Sequence, residues 1–232
     1  MTSELVFLLD VDNTLLDNDR IIADLRVHLE HEFGAVSAAR YWAIFEQLRG
    51  ELGYADYLGS LQRYRNEVDQ GGSGDRRLLL MSSFLIDYPF AELLYTKALD
   101  VVAHLGTLGP TVILSDGDVV FQPRKIQRSG LWNAVQGRVL IYIHKETMLD
   151  QMQLLYPARR YVMVDDKLRI LAAMKAVMGE RLVTVFPRQG HYAEDPANIA
   201  AYPAADHAVD RIGDLLEFDV ARLLGAAVKE KR

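Results

Sequence analysis

The sequence contains no cysteine among its 232 residues. Disulfide bridges, cysteine-ligated zinc, iron–sulfur clusters and thiol catalysis are therefore excluded. A chain of this length can bury a substantial core without such cross-links, and half of its residues are hydrophobic. The absence of cysteine is also compatible with a reducing cytosol.

Clustered positive charge and long apolar runs are lacking as well. The chain has 26 Lys and Arg against 32 Asp and Glu, a formal net charge of -6 and no polybasic stripe, which argues against nucleic acid or an anionic membrane as a partner. The apolar run from Leu5 to Leu9 is far too short for a signal peptide or a membrane span. We therefore expect a cytoplasmic protein; its oligomeric state is not readable from the sequence.

Short apolar runs bounded by polar or turn residues predict strands buried on both faces. They cover residues 6–9, 111–114, 139–143, 161–164 and 182–186, with 207–209 as a weaker sixth. Apolar residues at helical spacing predict helices at 98–108, 168–178 and 212–224. This alternation predicts an α/β fold with a Rossmann-like parallel sheet and helices on both faces.

The segment from about residue 16 to 94 breaks this alternation. It has no clear strand, and its apolar residues recur at helical spacing, as at Tyr41, Ile44, Phe45 and Leu48. A flexible loop is expected at Gly71 to Gly74 within it. We predict an α/β core of residues 1–15 and 95–232 and an inserted all-helical domain of residues 16–94.

Polar side chains follow the first four predicted strands. They are Asp10, Ser115, Lys145, and the pair Asp165 and Asp166. Ligands of open parallel sheets bind outside the carboxyl ends of the strands. Several carboxylates can crowd together only if a cation neutralises them, and oxygen ligands favour a hard ion such as Mg²⁺. A cation beside a lysine is a receptor for a phosphoryl group.

The same residues resemble the motifs of the haloacid dehalogenase-like superfamily. FLLDVDNTLL at residues 7–16 is similar to its first motif, DxDxT after an apolar strand. Ser115 at the end of TVILS, Lys145, and the acidic pair in VMVDDK resemble the second, third and fourth motifs, in the same order. The resemblance covers the whole chain, because the helical insertion matches the position of the family's C1 cap. It implies a magnesium-dependent phosphatase that acts on a small phosphorylated metabolite.

The resemblance also implies roles for the first motif. Asp10 would be the nucleophile that forms an aspartyl-phosphate. Asp12 would protonate the leaving oxygen and later act as a base toward water. Thr14 would orient Asp12 by a hydrogen bond. Asn13 stands where the family often has glycine, and asparagine tolerates the left-handed conformation better than most residues.

The other motifs would hold phosphate and metal. Ser115 would donate to a phosphate oxygen, and the backbone N–H groups of Asp116 and Gly117 could extend that cradle. Lys145 would hold the phosphate and neutralise the nucleophile; we prefer it to Lys125, which lies in a predicted helix. The metal ligands would be Asp10, the carbonyl of Asp12 and Asp166, with Asp165 acting behind them or through water.

Several alternatives remain open. The same superfamily includes phosphotransferases, mutases and dehalogenases, although the dehalogenases lack an acid at the position of Asp12, because a halide leaves without a proton. A non-catalytic, phosphate-binding regulatory protein is a further alternative. A phospho-acceptor receiver domain is disfavoured, because its acidic pair precedes its acceptor in the chain. The six histidines match no recognised metal motif. The segment from Gln189 to Ala193 has no predicted role beyond a loop near the site.

Overall fold

A computed structural model describes residues 2–68 and 76–218 of the chain. The loop predicted at residues 71–74 and the end of the last predicted helix, residues 219–224, lie outside this described part. Within it, no helix is both long and apolar enough to cross a membrane.

Six parallel strands form one sheet in the order β3-β2-β1-β4-β5-β6. The strands are β1 (Ser3–Leu9), β2 (Thr111–Asp116), β3 (Val139–Tyr142), β4 (Ala158–Val164), β5 (Leu182–Pro187) and β6 (His207–Val209). All six predicted strands are confirmed, and so is the α/β class with a Rossmann-like parallel sheet. The first strand of the chain lies in the middle of the sheet, between β2 and β4.

Helices cover both faces of this sheet. They are α5 (Ala98–Gly106), α6 (Phe121–Arg128), α7 (Leu131–Ala134), α8 (Leu149–Leu155), α9 (Leu168–Met178), α10 (Gly190–Glu194) and α11 (Pro196–Ala201). Strand β1 illustrates why its apolar run is unbroken: Phe7 and Leu9 pack into one buried cluster, whereas Val6 and Leu8 pack into another. Alternate side chains of a strand point to opposite faces, and here both faces are buried.

Two predicted helices differ in detail from the structure. Helix α5 ends at Gly106 rather than at residue 108. The described part of the last predicted helix is a 3₁₀ helix, Ile212–Glu217, which is one of four short 3₁₀ segments in the described chain. Helix ends often tighten into 3₁₀ turns, and hydrophobic spacing alone does not distinguish the two forms.

Four helices lie between β1 and α5, and we call them the cap helices. They are α1 (Asn18–Phe33), α2 (Ala35–Leu52), α3 (Tyr57–Val68) and α4 (Arg76–Ile86). The chain enters and leaves this unit through two adjacent segments, because Leu16 and Leu94 form an antiparallel bridge. The Asp17 N–H donates to the Leu93 carbonyl at 2.9 Å, and the Tyr95 N–H donates to the Leu15 carbonyl at 3.0 Å. The domain boundaries at 15/16 and 94/95 remain a prediction.

The loop after β5 supports the loop after β1. The Gln189 side-chain amide donates to the Thr14 carbonyl at 3.2 Å. Gly190 has a φ of 72°, and a Cβ atom there would lie 2.5 Å from Cβ of Asn13. The chain therefore needs glycine at this position for two reasons, a left-handed backbone and a close approach to Asn13.

Replacement of Gly190 tests this support. Gly190→Ala should lose about 1–2 kcal/mol through its positive φ and roughly 1–3 kcal/mol more through overpacking against Asn13. Gly130→Ala is the matched control, because Gly130 has a φ of 85° and no atom within 4 Å of an added Cβ. Urea unfolding gives both free energies of unfolding. Equal losses in the two variants would contradict the proposed contact.

Candidate active site

The sheet order brings the motif residues together at one edge. Strands β2, β1 and β4 are neighbours, so Ser115, Asp10 and Asp165 follow or end adjacent strands. Backbone hydrogen bonds continue beyond β1, since the Asp10 N–H donates to the Val164 carbonyl at 3.0 Å. The site is therefore positioned by the most buried part of the fold.

Lys145 lies at the centre of this group with only 1% of its surface exposed. Its ammonium group forms ion pairs with Oδ1 of Asp10 and, at 2.7 Å, with Oδ2 of Asp165. It also donates to the Leu114 carbonyl at 3.2 Å. Burial alone would lower the pKa of Lys145, but the carboxylates of Asp10, Asp165 and Asp116 outweigh it and raise that pKa. Lys145 is thus held as a cation, and it is Lys145 rather than Lys125 that contacts Asp10.

Three buried carboxylates face one another around this lysine. Single oxygen atoms of Asp10, Asp165 and Asp166 all lie within 4.8 Å of one another. Asp165 is engaged, because its Oδ1 accepts from the Lys167 N–H at 2.9 Å and its Oδ2 pairs with Lys145. Oδ2 of Asp10 and both oxygens of Asp166 have no hydrogen-bond partner among the described residues, and Oδ2 of Asp165 has the ion pair with Lys145 but no hydrogen bond. Buried polar atoms without partners are rare, and these carboxylate oxygens could hold a metal ion.

The electrostatics of the acidic pair agree with this geometry. Burial raises the pKa of Asp165 to about 6, although Lys145 opposes the shift. Burial also raises the pKa of Asp166 well above its usual range, with Lys167 opposing and Asp165 adding to the shift. Both shifts express the cost of placing several negative charges in a buried site. A divalent cation among the three acids would remove that cost.

Asp12 has a separate set of partners on helix α6. Its Oδ1 accepts from Nζ of Lys125 at 2.6 Å, and its Oδ2 accepts from the amide of Gln122 at 3.4 Å. Lys125 is 1% exposed and donates a second hydrogen bond to Oδ1 of Asn18 at 2.9 Å. Sequence reasoning missed Gln122 and Asn18, and it considered Lys125 only as a substitute for Lys145. Gln122 and Lys125 are three residues apart on one helix, but nothing local indicated that this face meets the first motif.

Thr14 makes a different contact from the one predicted. Its Oγ1 accepts from the backbone N–H of Asp166 at 3.1 Å, so it ties the first motif to the fourth instead of orienting Asp12. Asn13 has the left-handed conformation that we expected, with a φ of 58°. Its side-chain oxygen accepts from the N–H groups of Asn18 and Asp19 at 3.0 and 3.2 Å, which secures the start of α1.

The residues of the second motif also have hydrogen-bond partners that were not predicted. Oγ of Ser115 accepts from Nε2 of Gln122 at 2.9 Å and donates to the Asp116 carbonyl over a long 3.4 Å. The N–H of Gly117 donates to the Tyr142 carbonyl at 2.9 Å, so the prediction that it contributes to a phosphate cradle is wrong. The Asp116 carboxylate accepts from the Lys145 N–H at 2.8 Å, and burial raises the pKa of Asp116.

A cavity of about 560 Å³ opens above this edge of the sheet. Asp12, Asn13, Asp116 and Lys125 line its floor, and the cap helices form one wall. The cap residues that face it are Ile22 and Arg26 of α1, Trp42, Phe45, Glu46 and Arg49 of α2, and Gly53 to Ala55 with Tyr57. A cavity of this size and mixed lining is typical of sites for small molecules.

The cap meets the core close to Lys145. Gly53 lies so near His144 that an added Cβ would be 2.9 Å from its Nε2. Tyr57 packs its ring 5.3 Å from that of Phe121 on α6. Burial, with the nearby charge of Asp12, raises the pKa of the Tyr57 phenol. The cap therefore reaches the floor of the cavity as well as covering it.

An acidic, lysine-centred site at the carboxyl edge of a Rossmann-like sheet, covered by inserted helices, defines a class of α/β hydrolytic enzyme. A structure from Burkholderia xenovorans LB400, assigned as a haloacid dehalogenase-like hydrolase, is 68% identical to this chain. The match covers 96% of this chain and 99% of the other, with a TM-score of 0.89. The chain therefore belongs to the haloacid dehalogenase-like hydrolase family.

More distant structures share the fold only. The HAD-hydrolase YfnB from Bacillus subtilis, solved with bound magnesium, is 17% identical, with a TM-score of 0.57 over 93% of this chain and 98% of that one. The L-2-haloacid dehalogenase from Xanthobacter autotrophicus is 16% identical, with a TM-score of 0.56 over 98% of this chain and all of the other. No family model and no curated protein matches the chain.

Removing one charge from the acidic cluster should stabilise the metal-free protein. Because the folded-state pKa values of Asp165 and Asp166 are raised, these groups favour folding at low pH; the contribution of Asp165 is lost as pH rises through about 6, and that of Asp166 as pH rises through its own raised pKa. At pH 7.5 with a chelator, Asp166→Asn should therefore raise the unfolding free energy by about 1–3 kcal/mol.

Thermal unfolding with and without MgCl₂ measures this effect. Wild type should gain stability on adding the ion, whereas Asp166→Asn should gain little. Asp150→Asn, at an exposed position, is the matched control and should change stability by less than about 0.5 kcal/mol. A destabilised Asp166→Asn protein with an unchanged response to magnesium would count against a metal site here.

Proposed function

We propose that this hydrolase is a magnesium-dependent phosphatase that cleaves a small phosphomonoester, with Asp10 as its nucleophile. The observation that carries the proposal is the second carboxylate, Asp12, which lines the cavity two residues from Asp10 and is held by Lys125 and Gln122. An alkoxide leaving group requires a proton, and a halide does not. An acid fixed at this position therefore favours phosphate-ester chemistry over dehalogenation.

The donor set fits a hard divalent cation. Oδ2 of Asp10 and the two oxygens of Asp166 are buried and lack hydrogen-bond partners among the described residues, and oxygen ligands of this kind suit Mg²⁺. Asp166 is the better candidate for direct ligation, since Asp165 is already engaged by Lys145. The carbonyl of Asp12 would complete the protein ligands. Bound magnesium would neutralise charge between the nucleophile and the incoming phosphate.

The positions of the side chains support the following first chemical step. The Asp10 carboxylate attacks phosphorus in line, and Lys145, paired with this carboxylate, positions it and offsets its charge. The Ser115 hydroxyl, oriented by Gln122, exchanges its long 3.4 Å contact with the Asp116 carbonyl for a hydrogen bond to a phosphate oxygen. The bond from phosphorus to the leaving oxygen breaks, and Asp12 transfers a proton to that oxygen.

The second step returns the enzyme to its starting state. Asp12, now ionised, accepts a proton from a water molecule that attacks phosphorus, and the bond between phosphorus and Asp10 breaks to release inorganic phosphate. Lys125 fixes Asp12 throughout by its contact at 2.6 Å.

A hydroxyl group in place of water would give phosphotransfer, so the acceptor distinguishes a phosphatase from a transferase or mutase. A small phosphorylated metabolite matches the size of the cavity.

Two substitutions test the nucleophile and the acid. Hydrolysis of p-nitrophenyl phosphate and a panel of metabolite phosphates is measured with MgCl₂ or with a chelator. Wild-type turnover should require magnesium, Asp10→Asn should lose at least about a thousandfold in kcat, and Asp150→Asn should match wild type. Asp12→Asn should lose roughly 10²–10⁴-fold on esters with poor leaving groups, and less on p-nitrophenyl phosphate.

A dehalogenase assay tests the alternative that the site removes a halide instead of hydrolysing a phosphate ester. Wild-type protein is incubated with L-2-chloropropionate, and chloride release is measured beside phosphate release from the panel. The proposal predicts phosphate release alone. Chloride release without turnover of any phosphate ester would assign the site to dehalogenation instead.

A further inference from the structure

The cap wall of the cavity carries a cation at some distance from the reacting centre. Asn18, Ile22 and Arg26 line the cavity from one face of α1, at intervals of four residues. Asn18 lies at the floor, where it accepts from Lys125. Arg26 is eight residues further along the helix, which places its Cα about 12 Å from that of Asn18. These three side chains of α1 therefore lead from the polar floor of the cavity, past an apolar side chain, to a guanidinium group.

Arg26 is an exposed residue of α1, and its guanidinium lies over an aromatic ring. Its Cζ lies 4.1 Å from the centroid of the Trp42 ring on α2. Trp42 is itself fixed by edge-on contacts with Tyr41 and Phe45, at centroid distances of 5.4 and 5.3 Å. Stacking occupies a face of the planar cation and leaves the N–H groups at its edge available for an anion.

Among the described residues, Arg26 is also the one lysine or arginine of the cavity lining without an ionic partner. The other Lys and Arg side chains that line the cavity each face an acid: Lys125 pairs with Asp12 at 2.6 Å, Arg49 with Glu46 at 3.1 Å and Arg169 with Glu146 at 2.6 Å, and Lys167 interacts electrostatically with Asp166. Across residues 2–68 and 76–218, no ion pair involves Arg26. A positioned but unpaired arginine in a ligand cavity is suited to bind an anionic group of the ligand.

We propose that Arg26, stacked on Trp42, binds a second anionic group on the leaving-group side of the substrate. The inference rests on the proposed phosphatase function and narrows its substrate class. The substrate is a phosphomonoester whose organic part carries a carboxylate or another phosphate at the end remote from the phosphate that is cleaved. Ile22 and Phe45 line the cavity between the two ends and favour an apolar or aromatic body there.

Matched pairs of compounds test the second anion. The first pair is 3-(4-phosphonooxyphenyl)propanoate and its methyl ester, which differ in the distal charge. The second pair is hexane-1,6-diyl bisphosphate and hexyl phosphate. Wild type should prefer the charged member of at least one pair by about tenfold or more in kcat/KM. The pair that shows the preference distinguishes a carboxylate from a phosphate.

Two variants assign the preference to Arg26. Arg26→Gln should lower kcat/KM for the charged member about tenfold or more, toward the value for the neutral member. Arg26→Lys should keep part of the preference, because charge remains while the planar fork is lost. Arg20→Gln is the matched control, since Arg20 lies on the same helix but outside this cavity, 3.9 Å from Asp24. It should retain the wild-type preference.

The outcomes separate this inference from the proposed function. Phosphate release from all four compounds without a preference for charge, or a preference that survives in Arg26→Gln, would overturn the role of Arg26 and leave the phosphatase intact. No phosphate release from any of the four compounds or from the metabolite panel would overturn the phosphatase and this inference with it. Calorimetric titration of Asp10→Asn with each pair provides a binding measurement that needs no turnover, and it should show the same preference.

Discussion

The arrangement of side chains at the carboxyl edge of this sheet depends on one buried ammonium group among buried carboxylates. Lys145 is paired with Asp10 and Asp165, and each of the three side chains follows a different strand. Breaking such a group from one side leaves an uncompensated buried charge, which is strongly destabilising. The lengths of β1, β3 and β4 and the loops that follow them must therefore agree closely enough to bring these charges together.

The charge balance of this group also leaves carboxylate oxygens without partners. Lys145 engages two of the three carboxylates and leaves the oxygens of Asp166 without hydrogen-bond partners in the described chain. Burial raises the pKa values of Asp165 and Asp166, with neighbouring carboxylates adding to the shifts. We expect this arrangement to cost stability in the metal-free protein, and the three acids could hold a divalent cation.

A second buried lysine, Lys125, holds a different set of residues at the site. Lys125 contacts Asp12 and Asn18, and neither of these is a partner of Lys145. Asp10 and Asp12, the proposed nucleophile and acid, are therefore each held by a separate buried cation on a separate element. Asn18 begins α1, so the support of Asp12 extends directly into the cap.

The strands and the motif positions were predictable because they depend on local sequence. Apolar runs such as Val6 to Leu9 are buried on both faces, and the polar residue after each run marks the strand end. Contacts that depend on distant packing were not predictable: Thr14 reaches Asp166, and the N–H of Gly117 is taken by Tyr142.

Contacts from other segments to the motif residues could not be predicted from the sequence either. Gln122 meets Ser115 and Asp12 only because α6 folds back over the sheet edge. The segment at residues 189–193 was predicted only as a loop near the site, yet most of it lies in α10, Gln189 binds the backbone after β1, and Gly190 packs on Asn13. Residues of this kind are ordinary helix and loop residues until the tertiary fold places them.

The central claim is that the buried acidic cluster is a divalent-cation site, and anomalous diffraction from crystals soaked in Mn²⁺ tests it most directly. We expect one strong peak in contact with carboxylate oxygens of Asp10 and Asp166, at roughly 2.0–2.2 Å. The same soak of Asp166→Asn crystals should give no peak at that position. A wild-type crystal with no peak there, or with a peak that does not touch Asp166, would contradict the account.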